Sequence, residues 1–303
     1  MSVPPRNAVV AVVHTSPEMI HADYRRLLNL AGMDGVTAPL RRALLVPRQA
    51  RRMPFPGSGA PPWQLEIMTR LCQMSSITSI TTILSDPHSD RYGYTAIAAA
   101  LGSAILRRAP LLDCETLVVA LAPGRIDARN GLFGATHALA ALFHPDAVIR
   151  NTGSVSDALA QVRRTGAPLI AVTDATTISD GRDAGAEYAE IRSTILASRD
   201  PVALDAIVAA QFGLDPLRDV AFLREAHRRG LGTADLRAIT CCGDVEALQD
   251  RWGLVDPASG ATLDRFKRWT GADMRTFEGW LYNTGWGRLF QAYQTRYAVR
   301  VRR

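Results

Sequence analysis

Residues 167–216, APLIAVTDATTISDGRDAGAEYAEIRSTILASRDPVALDAIVAAQFGLDP, constrain the fold of this chain more than any other stretch. The run 168–173 is apolar without a helical period and is bounded by Gly166 and Asp174, the pattern of a strand buried on both faces. A polar loop with glycines over 176–187 leaves Asp174 at the C-terminal end of that strand. A second apolar run, 193–198, stops at Asp200-Pro201. This dipeptide starts a helix by mechanism: Asp200 accepts from first-turn amides that lack partners, and Pro201 has no amide to leave unpaired. The helix runs to Phe212, and Gly213 ends it.

That helix is apolar almost all round, so it is expected to be buried. Asp205 is its exception. A lone buried carboxylate costs free energy unless it is paired or hydrogen-bonded. Either Asp205 bonds nearby backbone or an arginine and only holds the fold, or Asp174, Asp200 and Asp205 converge near strand ends, where open α/β sheets take their ligands.

Earlier in the chain, 8–13 and 43–46 read as buried strands, with a helix opened by Ser16-Pro17 between them. Residues 47–62 are rich in Pro, Gly and Arg and form a long loop, disordered or a functional lid. A helix over 63–74 and a strand over 79–84 lead to SDPHSDRYGY, which brings Asp86, His88, Asp90 and Arg91 into one loop at a strand end. Asx and Pro turn chemistry accounts for most of that loop without function, and His88 is the first choice as proton carrier. An apolar helix is expected over 95–107, a strand over 117–121, a loop over 122–130 and a helix over 131–143. His137 and His144 lie seven apart on that helix, roughly on one face; with an Asp from elsewhere they are the one metal-ligating set available, against ordinary core or surface histidines. A short strand and a helix (154–164) precede the central stretch; a helix closed by Gly230 (219–229) and a strand (236–241) follow it.

Several of these residues recur as a set: the strand ending in Asp174, a loop with Gly181 and Gly185, the run Leu196-Ala-Ser-Arg-Asp-Pro-Val-Ala-Leu-Asp205-Ala, Gly213-Leu-Asp-Pro216, and Ala226-His-Arg-Arg-Gly-Leu-Gly232 leading to Gly243. In these the chain resembles the family called domain of unknown function 362, over roughly 115–245. The resemblance implies an α/β fold and, in many members, an appended iron-sulfur segment, with no settled reaction. The family's Lys-Pro-Asn motif corresponds here to Leu45-Val-Pro-Arg-Gln49, its Lys-Thr-His to Pro123-Gly-Arg125, and a later Lys-Asn to Arg129-Asn130. The resemblance therefore implies that lysine chemistry has been lost or moved to arginine, with Arg48, Arg125 and Asn130 at the matching positions. The cluster Arg48, Arg51 and Arg52 then reads as an anion clamp.

Composition narrows the function classes. With 303 residues and 47% hydrophobic content, the chain buries one large core or two modest ones. The formal charge of +6 suggests nucleic acid, but the basic residues are dispersed without interleaved aromatics, so no nucleic-acid partner is expected. Lys267 is the only lysine, which fits a GC-rich bacterial coding bias and argues against Schiff-base chemistry. The cysteines, 72, 114, 241 and 242, lack Cys-x-x-Cys spacing, so the relatives' iron-sulfur segment is absent. No apolar run reaches the roughly 18 residues of a membrane span, and no basic leader precedes one, so a cytoplasmic, reduced location without membrane association is expected. Past Gly243 the composition shifts: four of five tryptophans fall there, with Tyr282, Phe290, Tyr293 and Tyr297. Helices are expected over 263–269 and 274–297, their rings forming core, an aromatic pocket or a homodimer contact.

The expected architecture is α/β, a mostly parallel or mixed sheet flanked by helices, with a helical, aromatic-rich C-terminal extension. Residues 1–243 form the α/β domain, divisible into lobes 1–114 and 115–243, and 244–303 the extension. No Walker loop, nucleophile elbow, dinucleotide fingerprint or His-Glu-x-x-His helix is present. The functional expectation is a small-molecule biosynthetic enzyme doing acid-base chemistry (isomerisation, elimination or cyclisation) on a polar or acidic organic substrate without a cofactor. His88, Asp174 and Asp205 are its catalytic candidates; Arg48, Asp90, Arg91, Arg125, Asn130 and Asp200 are its substrate-binding candidates. The alternative is a non-catalytic ligand-binding or redox-partner protein descended from iron-sulfur relatives.

Overall fold

Strands that are apolar on both faces need a helical layer on each side, and the chain supplies both. In the computed structural model the described residues are 8–33, 40–49, 54–127, 131–143, 152–179, 189–252 and 276–297. Among them the strands are β1 (Ala8–His14), β2 (Arg42–Pro47), β3 (Ser79–Ile83), β4 (Ala104–Leu106), β5 (Thr116–Asp127), β6 (Gly131–Leu132), β7 (Leu169–Ser179), β8 (Ala189–Ser198) and β9 (Ile239–Gly243). They form one sheet in the order β4-β3-β2-β5-β7-β8-β1-β9, with β6 paired to β5 off that path. Neighbours along the path are parallel except at β8, which runs antiparallel to both β7 and β1. The sheet thus draws strands from both sides of residue 114.

The helices are α1 (Ile20–Leu30), α2 (Pro62–Gln73), α3 (Tyr94–Ala100), α4 (Ala135–Ala140), α5 (Thr152–Arg164), α6 (Pro201–Gln211), α7 (Ala221–Arg228), α8 (Phe277–Asn283) and α9 (Gly285–Tyr297). Strand periodicity of two decides which side chains meet which layer. In β7, Ile170 and Val172 pack with α1, α2, α3, α8 and α9, while Leu169, Ala171 and Ala175 pack with α4 to α7 and Trp252. A fully buried Leu, Ile or Val contributes about 1.5–3 kcal/mol, so the two layers are both required.

Asp200-Pro201 behaves as its chemistry dictates: Asp200 Oδ1 accepts from Val202 N (2.9 Å) and Ala203 N (3.3 Å), and Gly213, at φ +79°, closes α6. Other expectations are corrected. The helix expected over 95–107 stops at Ala100, because Gly102 takes φ +67° and the chain returns as edge strand β4 beside β3. β5 does not end at 121 but continues to Asp127 and turns back as β6, so α4 is a short helix starting at Ala135. β7 runs on to Ser179, which places Asp174 inside a strand rather than at its end. The helix expected over 274–297 is two helices. Thr284 between them is extended and donates its hydroxyl to Trp280 O (2.7 Å). The rings Trp280, Trp286, Phe290, Tyr293 and Tyr297 are buried against α1 and α2 in this chain's own core, while Tyr282 is exposed. The short strand expected before α5 and the helix over 263–269 lie outside the described residues.

Candidate functional site

The most enclosed polar chemistry lies where β5 and β7 run on past the end of β2. β2 ends at Pro47, opposite Leu121 of β5, whereas Asp174 stands opposite Pro123, beyond that end. Both pairings of β7 lose register just past Asp174, between Pro123 and Arg125 on one side and Ala175 and Thr177 on the other. Bulges of this kind bend a strand and re-aim its side chains.

Part of the long loop roofs this place. Gly57, at φ +71°, lies so close to β7 that a Cβ there would come within 2.8 Å of Ile178 C and Ser179 N. Ser58 and Ala60 are fully buried. Tyrosines of the 85–94 loop latch the roof: the hydroxyls of Ser58 and Tyr92 are 2.9 Å apart, and Tyr94 donates to Ala60 O at 2.5 Å. The described part of the loop, 54–62, is therefore packed structure.

Beneath it, Asp174 accepts four hydrogen bonds. Tyr24 OH (2.8 Å) and Trp63 Nε1 (2.9 Å) donate to Oδ2; Thr176 N (3.0 Å) and Thr176 Oγ1 (2.5 Å) donate to Oδ1. Burial pushes its carboxyl above the usual range, against the downward pull of these donors, and holds the Tyr24 hydroxyl well above 10. Beside Asp174 is a cavity of ≈ 20 Å³, the size of one water, lined by Gly57, Gly59, Pro61, Trp63, Asp174, Thr176, Thr177 and Trp280.

A second group lies past the end of β2. Arg48 is half-buried, its backbone N–H bonded to Leu121 O, and its guanidinium carbon lies 5.4 Å from the centre of the Phe133 ring. Its Nε is enclosed and has no hydrogen-bond partner among the described residues. Burial lowers its pKa, with Asp86 opposing. His137, 1% exposed, stacks on Phe133 and meets Phe222 edge-on, and neither ring nitrogen has a partner among the described residues. Burial, then the Arg48 charge, lowers its pKa to about 4, so it is neutral at pH 7.

The remaining candidates divide between this edge and elsewhere. His88 is half-buried in the 85–94 loop, its backbone N–H bonded to Asp86 Oδ1 (2.7 Å), the Asx turn that the sequence suggested. Asp90 accepts from the Thr95 hydroxyl at the start of α3, and Arg91 follows in the same turn. Arg125 is buried and donates to Ser179 Oγ (2.7 Å). Asn130, Arg51, Arg52 and His144 lie outside the described residues.

Asp174 stands apart from Asp200 and Asp205, so the three aspartates do not converge, and Asp205 bonds nearby backbone, the first of the two readings given above. Asp174 bonds Tyr24 and Trp63 in one helical layer. Asp205 lies in the other, accepting from Ala135 N and Thr136 N (2.8 Å each) at the start of α4. Asp200 follows β8, whose last residue Ser198 pairs with Ala171 near the start of β7; besides α6 it accepts from Thr233 N (3.0 Å). Burial raises all three carboxyls, that of Asp205 to about 6.

Sequence reasoning missed Trp63, Thr176, Thr177 and Trp280 around Asp174, and Tyr24 behind it. The helical spacing of Trp63 signalled burial, but nothing local tied residues 63, 174 and 280 together. Among the described residues no group of three or more His, Cys, Asp or Glu could hold a metal ion, and no helix is long and apolar enough to cross a membrane. Cys72 is buried, its thiol pushed up to about 12. No protein-family model, curated protein or solved structure matches the chain.

Proposed function

We propose that the protein is a small-molecule enzyme that binds a polar or acidic organic substrate beyond the ends of β2 and β3, and works on it by acid-base chemistry: isomerisation, elimination or cyclisation. Arg48 holds the anionic group of the substrate and His88 moves the proton. The observation that carries this reading is the state of Arg48. An enclosed Nε with no partner among the described residues has lost its hydration without compensation, and a carboxylate or phosphate oxygen at the guanidinium would offset that loss with charge-assisted hydrogen bonds. Phe133 beneath the guanidinium adds an apolar wall that keeps water away and fixes the plane of the cation. Asp86, which opposes the desolvation of Arg48, ties the His88 loop electrostatically to the same place.

The test is a thermal-shift screen of small organic acids and neutral isosteres against wild type and Arg48→Met. An acid is expected to raise the Tm of wild type and leave Arg48→Met unmoved, and His88→Ala is expected to bind that acid without converting it. Equal responses of both proteins to acids and neutral compounds would remove Arg48 as the anion site and with it the reading.

A second reading, ligand binding without turnover, is favoured by one observation: the carboxylate oxygens of Asp174, Asp200 and Asp205 are engaged by protein donors. Mass analysis of the bound acid after long incubation separates the two, since only an enzyme changes it.

A further inference from the structure

Asp174 is a buried carboxylate whose four bonded donors are all uncharged: a tyrosine hydroxyl, an indole, a threonine hydroxyl and a backbone amide. Hydrogen bonds from neutral donors satisfy its lone pairs but leave a net charge in a low-dielectric place, and buried charges are ordinarily paired. The cavity of ≈ 20 Å³ beside it has room for the missing counter-ion.

The lining determines what that guest must be. Both indole N–H groups are engaged, that of Trp63 with Asp174 and that of Trp280 with Thr177 Oγ1 (3.0 Å). The Thr176 hydroxyl gives its proton to Asp174 and turns lone pairs outward, and the Thr177 oxygen keeps a second lone pair. A guest therefore meets a negative charge, hydroxyl oxygens and indole walls. An anion is repelled there. A donor-only cation fits, and the volume limits it to a head the size of water, which admits an –NH₃⁺ group and excludes a trimethylammonium.

We propose that this cavity binds the ammonium group of a primary amine, held by the charge of Asp174 and the hydroxyl oxygens of Thr176 and Thr177 between Trp63 and Trp280. The proposal stands on Asp174 and its cavity alone and is independent of what Arg48 binds.

The test is titration of the intact protein at pH 7 and constant ionic strength with methylammonium, ammonium, tetramethylammonium and sodium chlorides, followed by tryptophan fluorescence and Tm. Methylammonium is expected to give a saturable change and a rise in Tm, and tetramethylammonium and sodium none. Asp174→Asn is expected to weaken methylammonium binding by about tenfold or more, the loss of one opposite charge at close range. Should Asp174→Asn lose its near-ultraviolet circular dichroism, Thr177→Val serves instead, with an expected loss of about fivefold for one hydrogen bond. Saturation by ammonium but not methylammonium would assign the cavity to the free ion and overturn the amine assignment. No saturable response, equal binding of tetramethylammonium, or wild-type affinity in the folded variant would overturn the proposal altogether.

Discussion

The carboxylate of Asp205 fills the space that a side chain at Gly134 would need: a Cβ at 134 would lie 2.4 Å from Cγ and from Oδ1 of Asp205. The glycine is there for this approach and not for its backbone, which is extended at φ −105°. Through it Asp205 reaches the first amides of α4 from α6, joining two helices of one layer. Gly134→Ala is expected to cost about 1–3 kcal/mol, the range for overpacking a tight interior. Urea unfolding measures it, and a loss below 0.5 kcal/mol would show that α4 and α6 move apart freely, by the usual standard for surface changes.

The same carboxylate makes stability depend on pH in an unusual direction. Its pKa is raised from 3.8 to about 6, chiefly by burial, so the folded state binds its proton more tightly than the unfolded one. The stabilising contribution is complete below 3.8 and is lost as pH rises through 6. At 1.36 kcal/mol per unit this is on the order of 3 kcal/mol. Asp205→Asn has no such titration. The stability difference between wild type and variant is therefore expected to shift in favour of wild type as pH falls from 6 to 4. A difference that stays flat over that range would mean that Asp205 is ordinarily acidic in the folded protein.

The start of α6 shows why one part of this fold was legible and another was not. Asp200, Pro201 and Gly213 act through their own backbone geometry, so the sequence reveals the helix start and stop without knowledge of the rest of the molecule. The apolar runs of β1, β2, β5 and β7 are legible for a similar reason: a strand covered on both faces needs no partner to be recognised. Gly102 carried a local signal too, but the apolar run around it resembled a longer helix, and only pairing with β3 makes Ala104–Leu106 a strand. The site fares worse. Convergence of Asp174 and Asp205, one of the two readings, assumed that both stand near strand ends, whereas Asp174 lies inside β7. What separates them is the sheet itself: β8 reverses direction and α6 crosses to the other layer. Likewise Thr176 meets Asp174 locally, but Tyr24 and Trp63, which bond it, and Trp280, which lines the same cavity, are brought there by long-range packing.

Ser193 is the one described non-glycine residue with positive φ, at +48° in the β8 bulge, and its hydroxyl oxygen accepts from Trp286 Nε1 at 3.2 Å. The left-handed conformation costs an L residue roughly 1–2 kcal/mol, which glycine avoids. Two variants separate the strain from the bond. Both Ser193→Ala and Ser193→Gly remove the acceptor for Trp286, but only the glycine relieves the backbone. Ser193→Gly is expected to be more stable than Ser193→Ala by about 1 kcal/mol, read from paired denaturation curves. Equal stability would mean that the bulge relaxes away from positive φ once the Trp286 bond is gone.

Glu66 works in the opposite sense to Asp205. On α2, its side chain is 2% exposed and pairs with Arg70 (2.8 Å) and Arg296 (3.6 Å), the latter from α9. Burial pushes its carboxyl up, but Tyr293, Arg70 and Tyr297 outweigh that and hold it below its usual value. A depressed folded pKa gives stability that is complete above the unfolded value of 4.5 and is lost as pH falls through the folded one. Both arginines are partly exposed, so Glu66→Gln leaves no buried unpaired cation, and its expected cost at pH 7 is about 1–3 kcal/mol, that of a charge-assisted hydrogen bond. That cost is expected to shrink as pH falls below 4.5, where the unfolded chain takes up the proton that folded Glu66 resists. Because Glu66 holds α9 while Trp286 and Tyr293 of α9 pack on Trp63, the variant is also expected to disturb the near-ultraviolet circular dichroism of these rings before global unfolding. A variant with the wild-type spectrum and an undiminished cost at pH 3.5 would place the attachment of α9 in its apolar rings alone and leave Glu66 without a share in it.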